Sequence, residues 1–213
     1  MSQATLYLRE LEETDIPEIL GWFDGEVGRL AHGMQEGITA DQLRPDPARH
    51  RGVRVGVVPG EGVVGVFNWI ETPGTGSFFI GIVVPPGRVG SGYGAMVVEL
   101  GIGLLFDQMR AHRVELRAAA YNRHVMGMLK AGFMTLEGVH RDTIFVDGRY
   151  ESTVVASMLE HEYRQLLADG RMLPGERCVD DVDLKRAHRA LNQVLGSSRV
   201  TTSWGQAVEA ATA

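Results

Sequence analysis

The feature that most constrains the fold is the stretch VVPPGRVGSGYGAMVVEL, at residues 83–100. An apolar run typical of a strand ends there at two prolines, and four glycines follow within eight residues: Gly87, Gly90, Gly92 and Gly94. The chain then becomes apolar at helical spacing. Glycine adopts positive φ and leaves its N–H uncovered, and such groups attract phosphate where a helix begins. The pattern is consistent with a tight turn and with a phosphate cradle.

Two familiar phosphate loops do not fit this stretch. A Walker A loop ends in Gly-Lys-Ser/Thr, whereas this one reads Gly92-Tyr93-Gly94. A dinucleotide fingerprint needs G-x-G-x-x-G between parallel strands, whereas the runs before this loop are typical of hairpins.

Composition limits the partners that we expect. The chain has 213 residues, a net charge of −6 and no block of like charges. This balance argues against nucleic acid or an anionic membrane as a partner. An anionic ligand would therefore have to be held by local donors.

The single cysteine, Cys178, excludes an intramolecular disulfide framework and suits a reducing compartment. The N-terminal residues lack a basic segment followed by an apolar one, and no apolar run approaches the roughly 18–20 residues of a membrane span. We therefore expect a cytoplasmic protein.

Apolar periodicity predicts an α+β domain with a mostly antiparallel sheet. The predicted order is one strand, helices, three antiparallel strands, a helix, a strand, a helix and two strands. The main predicted strands are Val53–Val58, Val63–Ile70, Ser77–Val84 and Arg113–Ala119, with a final hairpin turning at Asp147-Gly148. After Tyr163 the pattern changes, so we predict a domain over 1–163 and a helical, partly disordered extension over 164–213.

Five segments together resemble a known family. They are LYLRELEETDIPEILGWF, GSFFIGIVVPP, LLFDQMRAHRVELR, LKAGF and EGVHRDTIFVDGRYES. In this order, over about residues 4–163, they resemble the RimJ/RimL-like branch of the GNAT N-acyltransferases. The glycine loop between them is similar to that family's Q/R-x-x-G-x-G/A loop, which holds the pyrophosphate of acyl-CoA.

The resemblance implies a three-layer fold whose fourth and fifth strands splay apart, and transfer of an acyl group from acyl-CoA, usually acetyl-CoA, to a primary amine. The acceptor would be a small molecule, an amino acid, or a peptide or protein amine, and no metal is expected. The implied CoA-binding residues are Val83, Val84, Arg88, Val89, Gly90, Ser91, Gly92, Tyr93, Gly94 and Asn122. Asn122 is also a candidate helix N-cap.

Catalysis in that family needs an oxyanion donor and a route for the amine proton. We assign the backbone N–H near Val83 as the donor and Glu71 as the base, with His140 and Asp142 as alternatives. Residues 25–50, which include His32, Glu36 and Asp41, are expected to wall the acceptor site.

The sequence departs from the family at two positions. Val89 stands where the family has Gln or Arg. Met126, Met128 and Leu129 stand near the place of a tyrosine that protonates the leaving thiolate. Tyr93 or Tyr121 could replace it, or the thiolate could leave without a dedicated acid, because a thiol pKa near ~8.5 makes it a fair leaving group. A non-catalytic acyl-CoA-binding or partner-binding protein on the same fold is therefore the alternative function. The C-terminal helix could serve as a lid, as a partner helix or as the arm of a homodimer.

Overall fold

The computed structural model describes residues 5–24, 38–175 and 181–197. The chain divides into two units, Met1–Glu176 and Arg177–Ala213, and each is described by itself. The domain boundary predicted at residue 163 stays a prediction, and the first unit of the structure spans Met1–Glu176. Residues 25–37, with the expected acceptor-site residues His32 and Glu36, lie outside the described part of the chain.

The first unit contains a seven-stranded sheet flanked by helices. The strands are β1 (Tyr7–Arg9), β2 (Arg51–Val58), β3 (Gly62–Thr72), β4 (Ser77–Val83), β5 (Arg113–Ala119), β6 (Thr135–Val146) and β7 (Arg149–Leu159). The α-helices described in it are α1 (Ile16–Gly21), α2 (Ala40–Leu43), α3 (Tyr93–Asp107), α4 (Arg123–Lys130) and α5 (Glu160–Ala168). Short 3₁₀ turns lie at Pro47–Arg49 and Pro86–Arg88. In the second unit, helix α6 spans Asp181–Ser197.

The strand order is β1-β2-β3-β4-β5-β7-β6. Every neighbouring pair is antiparallel except β4 and β5, which are parallel. Parallel neighbours need a long crossover connection, and helix α3 provides it. The expected α+β class with a mixed, mostly antiparallel sheet is confirmed.

An ion pair ties the first strand to the first helix. Nη1 and Nη2 of Arg9 donate to the two carboxylate oxygens of Asp15 at 2.7 and 2.8 Å. The N–H of Glu12 also donates to Asp15, and the bond from Arg9 holds the pKa of this carboxyl below its usual range. The segment LYLRELEETD therefore turns back on itself before Pro17 opens the helix.

The two faces of the sheet carry separate cores. The first face contains Phe67, Phe78, Ile80 and Leu116 and packs against residues of α3 and α5. The second face contains Val55, Val66 and Val83 and packs against α1. Because side chains alternate along a strand, Phe79 and Gly81 of β4 and Arg117 of β5 lie on the second face. Their strands span Ser77–Val83 and Arg113–Ala119.

The two glycines inside α3 explain how this helix packs. A Cβ on Gly101 would lie 2.5 Å from ring atoms of Phe67, so the helix approaches β3 closely. A Cβ on Gly103 would instead meet the backbone of Gly175 at 2.7 Å. The chain after α5 therefore returns to pack against α3. No helix among the described residues is long and apolar enough to cross a membrane.

Candidate active site

The central feature of the sheet is a cleft between β4 and β5. These strands are in register for four pairs, from Ser77 with Arg113 to Ile80 with Leu116. Beyond them Gly81–Val83 pair only with β3, and Arg117–Ala119 pair only with β7. We call the gap between these two segments the cleft. It leaves backbone groups of both strand edges without a sheet partner, as a ligand with amide groups would require.

The glycine loop, Gly87–Gly94, lies at the end of β4 and leads into α3. Gly90 and Gly92 have φ of 86° and 93°, where an L side chain is strained. Gly92 is the N-cap of α3, and no side chain caps this 15-residue helix. Gly94 packs closely, since a Cβ there would lie 3.1 Å from Cγ2 of Val84.

Several N–H groups of this loop are available to a ligand. The N–H of Ser91 donates to the carbonyl of Arg88, and that of Tyr93 donates to Oγ of Ser91 at 3.4 Å. Within the described residues, the N–H groups of Gly90, Gly92, Gly94 and Ala95 have no acceptor. Together with the positive end of α3 they form an anion site made of backbone donors.

Arg88 and Tyr93 brace the loop. Arg88 forms an ion pair with Glu61, in the turn between β2 and β3, and its guanidinium lies 5.4 Å from the centre of the Tyr93 ring. The Tyr93 hydroxyl donates to the same carboxylate at 2.8 Å. The hydrogen bonds from Tyr93 and Arg88 lower the pKa of the Glu61 carboxyl. The bond that the Tyr93 hydroxyl donates to Glu61 raises the pKa of Tyr93. Both side chains are therefore directed to Glu61.

A second helix begins beside the glycine loop. Oδ1 of Asn122 accepts the N–H groups of His124 and Val125 at 3.1 and 3.3 Å, so Asn122 is the N-cap of α4. The imidazole of His124 lies beside the loop, because a Cβ on Gly90 would be 3.9 Å from its Cε1. Val89, at the Gln/Arg position of the Q/R-x-x-G-x-G/A loop, is 48% exposed. Because its side chain is apolar, it supplies no hydrogen-bond donor to the loop.

The structure separates the two residues predicted to be catalytic. Val83 lies opposite Val66, whereas Glu71 lies opposite Phe78, at the other end of β3. Five residues of strand at about 3.3 Å each put about 17 Å between them. Glu71 also faces the first side of the sheet, since it pairs with Phe78. One bridging water cannot span that distance.

The other predicted acid–base groups lie at different places. His140 is in register with Thr153, which pairs with Ala119, so His140 is level with the open end of the cleft. Two strand spacings put it about 10 Å from β5. Asp142 has φ of 54° in an irregular part of β6. Tyr121 is exposed, and Met128 packs against the first core.

A charged network lies on the second face beside the cleft. Arg113 donates through both Nη atoms to Glu137 and through Nη2 to Glu115 at 3.1 Å. The other oxygen of Glu115 accepts from Nε of Arg117, also at 3.1 Å. Bonds from Arg113 and from the Ser157 hydroxyl lower the pKa of Glu137 to about 2. The carboxylates of Glu115 and Glu137 therefore both accept hydrogen bonds from side chains of the protein.

This network borders a cavity of about 280 Å³, which we call the second-face groove. Its lining residues are Thr72, Ser77, Phe78, Phe79, Arg113, Glu115 and Arg117. Arg117 is also the first residue of β5 beyond the paired part of the cleft. The groove therefore meets the cleft at Arg117.

Sequence reasoning missed three residues at this site: Asn68, Arg117 and His124. A Cβ on Gly81 would lie 2.8 Å from Oδ1 of Asn68, so this amide covers the start of the cleft. A polar residue inside the apolar run VVGVFNWI was a signal for Asn68. Arg117 and His124 gave no local signal, because their positions depend on which strands and helices are neighbours. In the described part of the chain, no group of three or more His, Cys, Asp or Glu side chains could hold a metal.

No protein-family model and no curated protein sequence matches the chain. Its structure, however, is similar to solved N-acetyltransferases. The spermidine N-acetyltransferase from Vibrio cholerae in complex with CoA and spermine has a TM-score of 0.65 and 19% identity, over 75% of this chain and 98% of that one. The chain has the GNAT fold.

Two further structures support this fold assignment. A chimera of the Vibrio cholerae enzyme SpeG and hSSAT has a TM-score of 0.64 and 19% identity, over 75% of this chain and 98% of that chain. A dodecameric form of the Vibrio cholerae enzyme in an intermediate state has a TM-score of 0.62 and 19% identity, over 74% and 95%.

Proposed function

We propose that this chain is an acetyl-CoA-dependent N-acetyltransferase that acts on a primary amine of a small molecule, an amino acid or a peptide. The observation that carries the proposal is the parting of β4 and β5 after four paired residues, directly beside a loop with unpartnered N–H groups. The similar protein crystallised with CoA supports the choice of donor.

The phosphates of CoA would be held by the N–H groups of Gly90, Gly92, Gly94 and Ala95. This arrangement suits an acidic protein, because backbone donors and a helix dipole need no positive field. Arg88 and Tyr93 would keep the loop in shape through Glu61. The amides of the pantetheine arm would then pair with the free strand edge near Val83 and Val84.

The reaction joins an amine to an acetyl group and releases a thiol. The amine nitrogen attacks the acetyl carbonyl carbon, a C–N bond forms, and the C–S bond breaks. A backbone N–H near Val83 would stabilise the negative oxygen of the tetrahedral intermediate. The amine loses a proton and the departing sulfur gains one, so the products are an N-acetyl amine and CoA.

Turnover does not require a tyrosine that protonates the leaving thiolate. A thiol with a pKa near ~8.5 leaves readily as thiolate, and solvent can protonate it. The position of Met128 is therefore compatible with turnover. The amine proton would leave through water toward the open end of the cleft, where His140 is level with Ala119.

A matched pair of glycine variants tests the proposal. A Cβ meets no atom within 4 Å at either position, but Gly92 has φ of 93° and is the N-cap of α3 in the cradle, whereas Gly87 lies earlier in the loop without positive φ. We expect calorimetry to show CoA binding in the wild type and Gly87→Trp, and loss of binding in Gly92→Trp. Thiol release from acetyl-CoA with an amine library then measures turnover.

The outcomes separate the two functions. CoA binding together with acceptor-dependent thiol release supports the enzyme. CoA binding without thiol release for any amine, and without an acetylated product in mass spectra, favours the non-catalytic acyl-CoA-binding protein. Absence of CoA binding in the wild type refutes both.

We also propose that the chain self-associates. The dodecameric form of the similar Vibrio cholerae enzyme supports this proposal. Light scattering of the full chain tests it, and a monomer at all concentrations would contradict it.

A further inference from the structure

We propose that the amine acceptor carries a carboxylate, and that Arg117 binds this carboxylate in the second-face groove. The inference rests on the proposed function and specifies its acceptor. It uses the position of Arg117 between cleft and groove, its free donors, and the way in which the nearby glutamates are already bound.

The donor and the acceptor reach the cleft from opposite sides. Helix α3, whose N-terminus is the proposed phosphate site, packs on the first face of the sheet. If acetyl-CoA is bound at that N-terminus and extends into the cleft from the first face, the amine must approach the cleft from the second face. On that face the cleft is bordered by Gly81 and Asn68 on one side and by Arg117 on the other.

In the groove, the carboxylates have hydrogen-bond partners on both oxygens, whereas Arg117 does not use all its donors toward the described residues. Glu115 uses one oxygen for Arg113 and the other for Arg117, and Glu137 is bound by both Nη atoms of Arg113. Because their oxygens already accept hydrogen bonds from arginines, these carboxylates are poor binding groups for a cationic ligand. The groove lining itself contains two arginines and one glutamate.

Arg117 is the group with donors to spare. Its Nε is bound to Glu115, but neither of its Nη atoms has an acceptor among the described residues. The side chain is 53% exposed, and its guanidinium lies 5.6 Å from the centre of the Phe79 ring. The contact with Phe79 and the bond to Glu115 orient the guanidinium, and two adjacent N–H groups match the two oxygens of a carboxylate.

An acceptor that satisfies this site has an amine at the cleft, a carboxylate at Arg117 and apolar atoms against Phe79. Free amino acids and short peptides have this chemistry. A polyamine such as the spermine bound by the similar Vibrio cholerae protein would bring positive charge toward a guanidinium instead.

Matched acceptors test the proposal. L-Leucine is compared with L-leucinamide and L-phenylalanine with 2-phenylethylamine, and spermidine serves as a polycation. With acetyl-CoA we expect kcat/KM for the carboxylates to exceed that for their partners by roughly 10- to 100-fold, the range for hydrogen bonds to charged groups. Arg117→Met should reduce this ratio to about one, while Arg117→Lys retains part of it.

Arg149→Met is the matched control variant. Nε of Arg149 lies 2.6 Å from Oε1 of Glu151, two residues along the same strand, as Arg117 is paired with Glu115. The control should keep the wild-type ratio. Thermal melting of all variants shows that they are folded, and calorimetry of L-leucine and L-leucinamide with the CoA-bound protein gives a readout that does not require turnover.

Three results would overturn the inference. One is equal use and equal binding of carboxylates and their uncharged partners by the wild type, including no binding of either. Another is a preference for spermidine that Arg117→Met leaves unchanged. The third is a loss in Arg117→Met that is the same for every acceptor. CoA binding by the wild type, measured separately, shows whether the proposed function itself has failed.

Discussion

Asn68 of β3 and Gly81 of β4 lie opposite each other at the start of the cleft, and the amide of Asn68 occupies the space above the glycine. A Cβ on Gly81 would lie 2.8 Å from Oδ1 and 3.0 Å from Nδ2 of Asn68. Because β4 loses its partner β5 just here, the pair determines how much room the cleft has on the second face.

Substitution of Gly81 by alanine should therefore destabilise the protein. We expect Gly81→Ala to lower the free energy of unfolding by about 1–3 kcal/mol, because the added methyl group overpacks the site. Asn68→Ala in the same chain should restore most of the loss, since the two changes share one space. Urea unfolding of the single and double variants measures this.

The control for this pair is Gly138→Ala in β6, where an added Cβ meets no atom within 4 Å. Its free energy of unfolding should stay within about 0.5 kcal/mol of the wild type. Additive effects of Gly81→Ala and Asn68→Ala would show that the amide is not what limits the cleft.

Glu71→Gln should leave acetyl transfer intact. Glu71 lies opposite Phe78, at the end of β4 far from Val83, and its N–H donates to the carbonyl of His50. We expect kcat/KM within about twofold of the wild type, whereas loss of a general base typically costs 10²–10⁴-fold. Steady-state thiol release with the best acceptor measures it. A loss of a hundredfold or more would restore Glu71 as the base.

Glu71 was predicted to lie at the same site as Val83, but the two lie at opposite ends of β4. The glycine loop was predicted because positive φ, a helix start and missing side chains are local properties. The place of Glu71 depends on an antiparallel hairpin, in which the end of β3 meets the beginning of β4 and not its end. The sequence predicted both strands, but it did not predict which residue of β3 lies opposite which residue of β4.

The same limit applies to the partners of charged residues. The contact of Arg88 with phosphate stays a prediction, but no local pattern indicated that Arg88 pairs with Glu61, 27 positions earlier in the chain. Asn122 was predicted correctly as an N-cap, because its partners are the next residues. The order of strands and helices along the chain followed from apolar periodicity, and the splaying of β4 and β5 followed from the resemblance to GNAT proteins. No local pattern placed Arg117 at the cleft.

The ion pair of Glu137 predicts a loss of stability in acid. Arg113 and Ser157 lower the pKa of Glu137 to about 2, below the value near 4.3 of an unfolded chain. Since the folded pKa is depressed, the stabilisation is fully present above about pH 4.5 and is lost as pH falls toward 2. Urea unfolding at pH 7, 4.5 and 3 should show a smaller acid loss for Glu137→Gln than for the wild type.

Glu151→Gln is the control for this comparison, because it removes a carboxylate of β7 that is bound to Arg149 on the same strand. Its acid loss should be close to that of the wild type. The Glu137 pair is partly exposed, so 1 M salt should weaken its effect. Identical pH profiles for Glu137→Gln and the wild type would rule out this pair as a source of acid sensitivity.

Two truncations locate the end of the folded domain. Tyr163 stacks on Phe106 with ring centres 4.8 Å apart, and its hydroxyl donates to Asp107 at 2.7 Å. Beyond it, Leu166 and Met172 are buried in the first core, and the N–H of Gly175 donates to the same carboxylate at 3.1 Å. Truncation after residue 163 removes these contacts and should lower the free energy of unfolding by about 3–5 kcal/mol, from two buried side chains and a lost hydrogen bond.

Truncation after residue 176 should instead leave the melting temperature within about 2 °C of the full chain, because it follows the division between the two units. Differential scanning calorimetry compares the three lengths, and CoA titration of each shows whether the cleft needs the second unit. If the chain that ends at Tyr163 melts with the full chain, the contacts of Leu166, Met172 and Gly175 contribute little, and the domain ends at residue 163 as the sequence predicted.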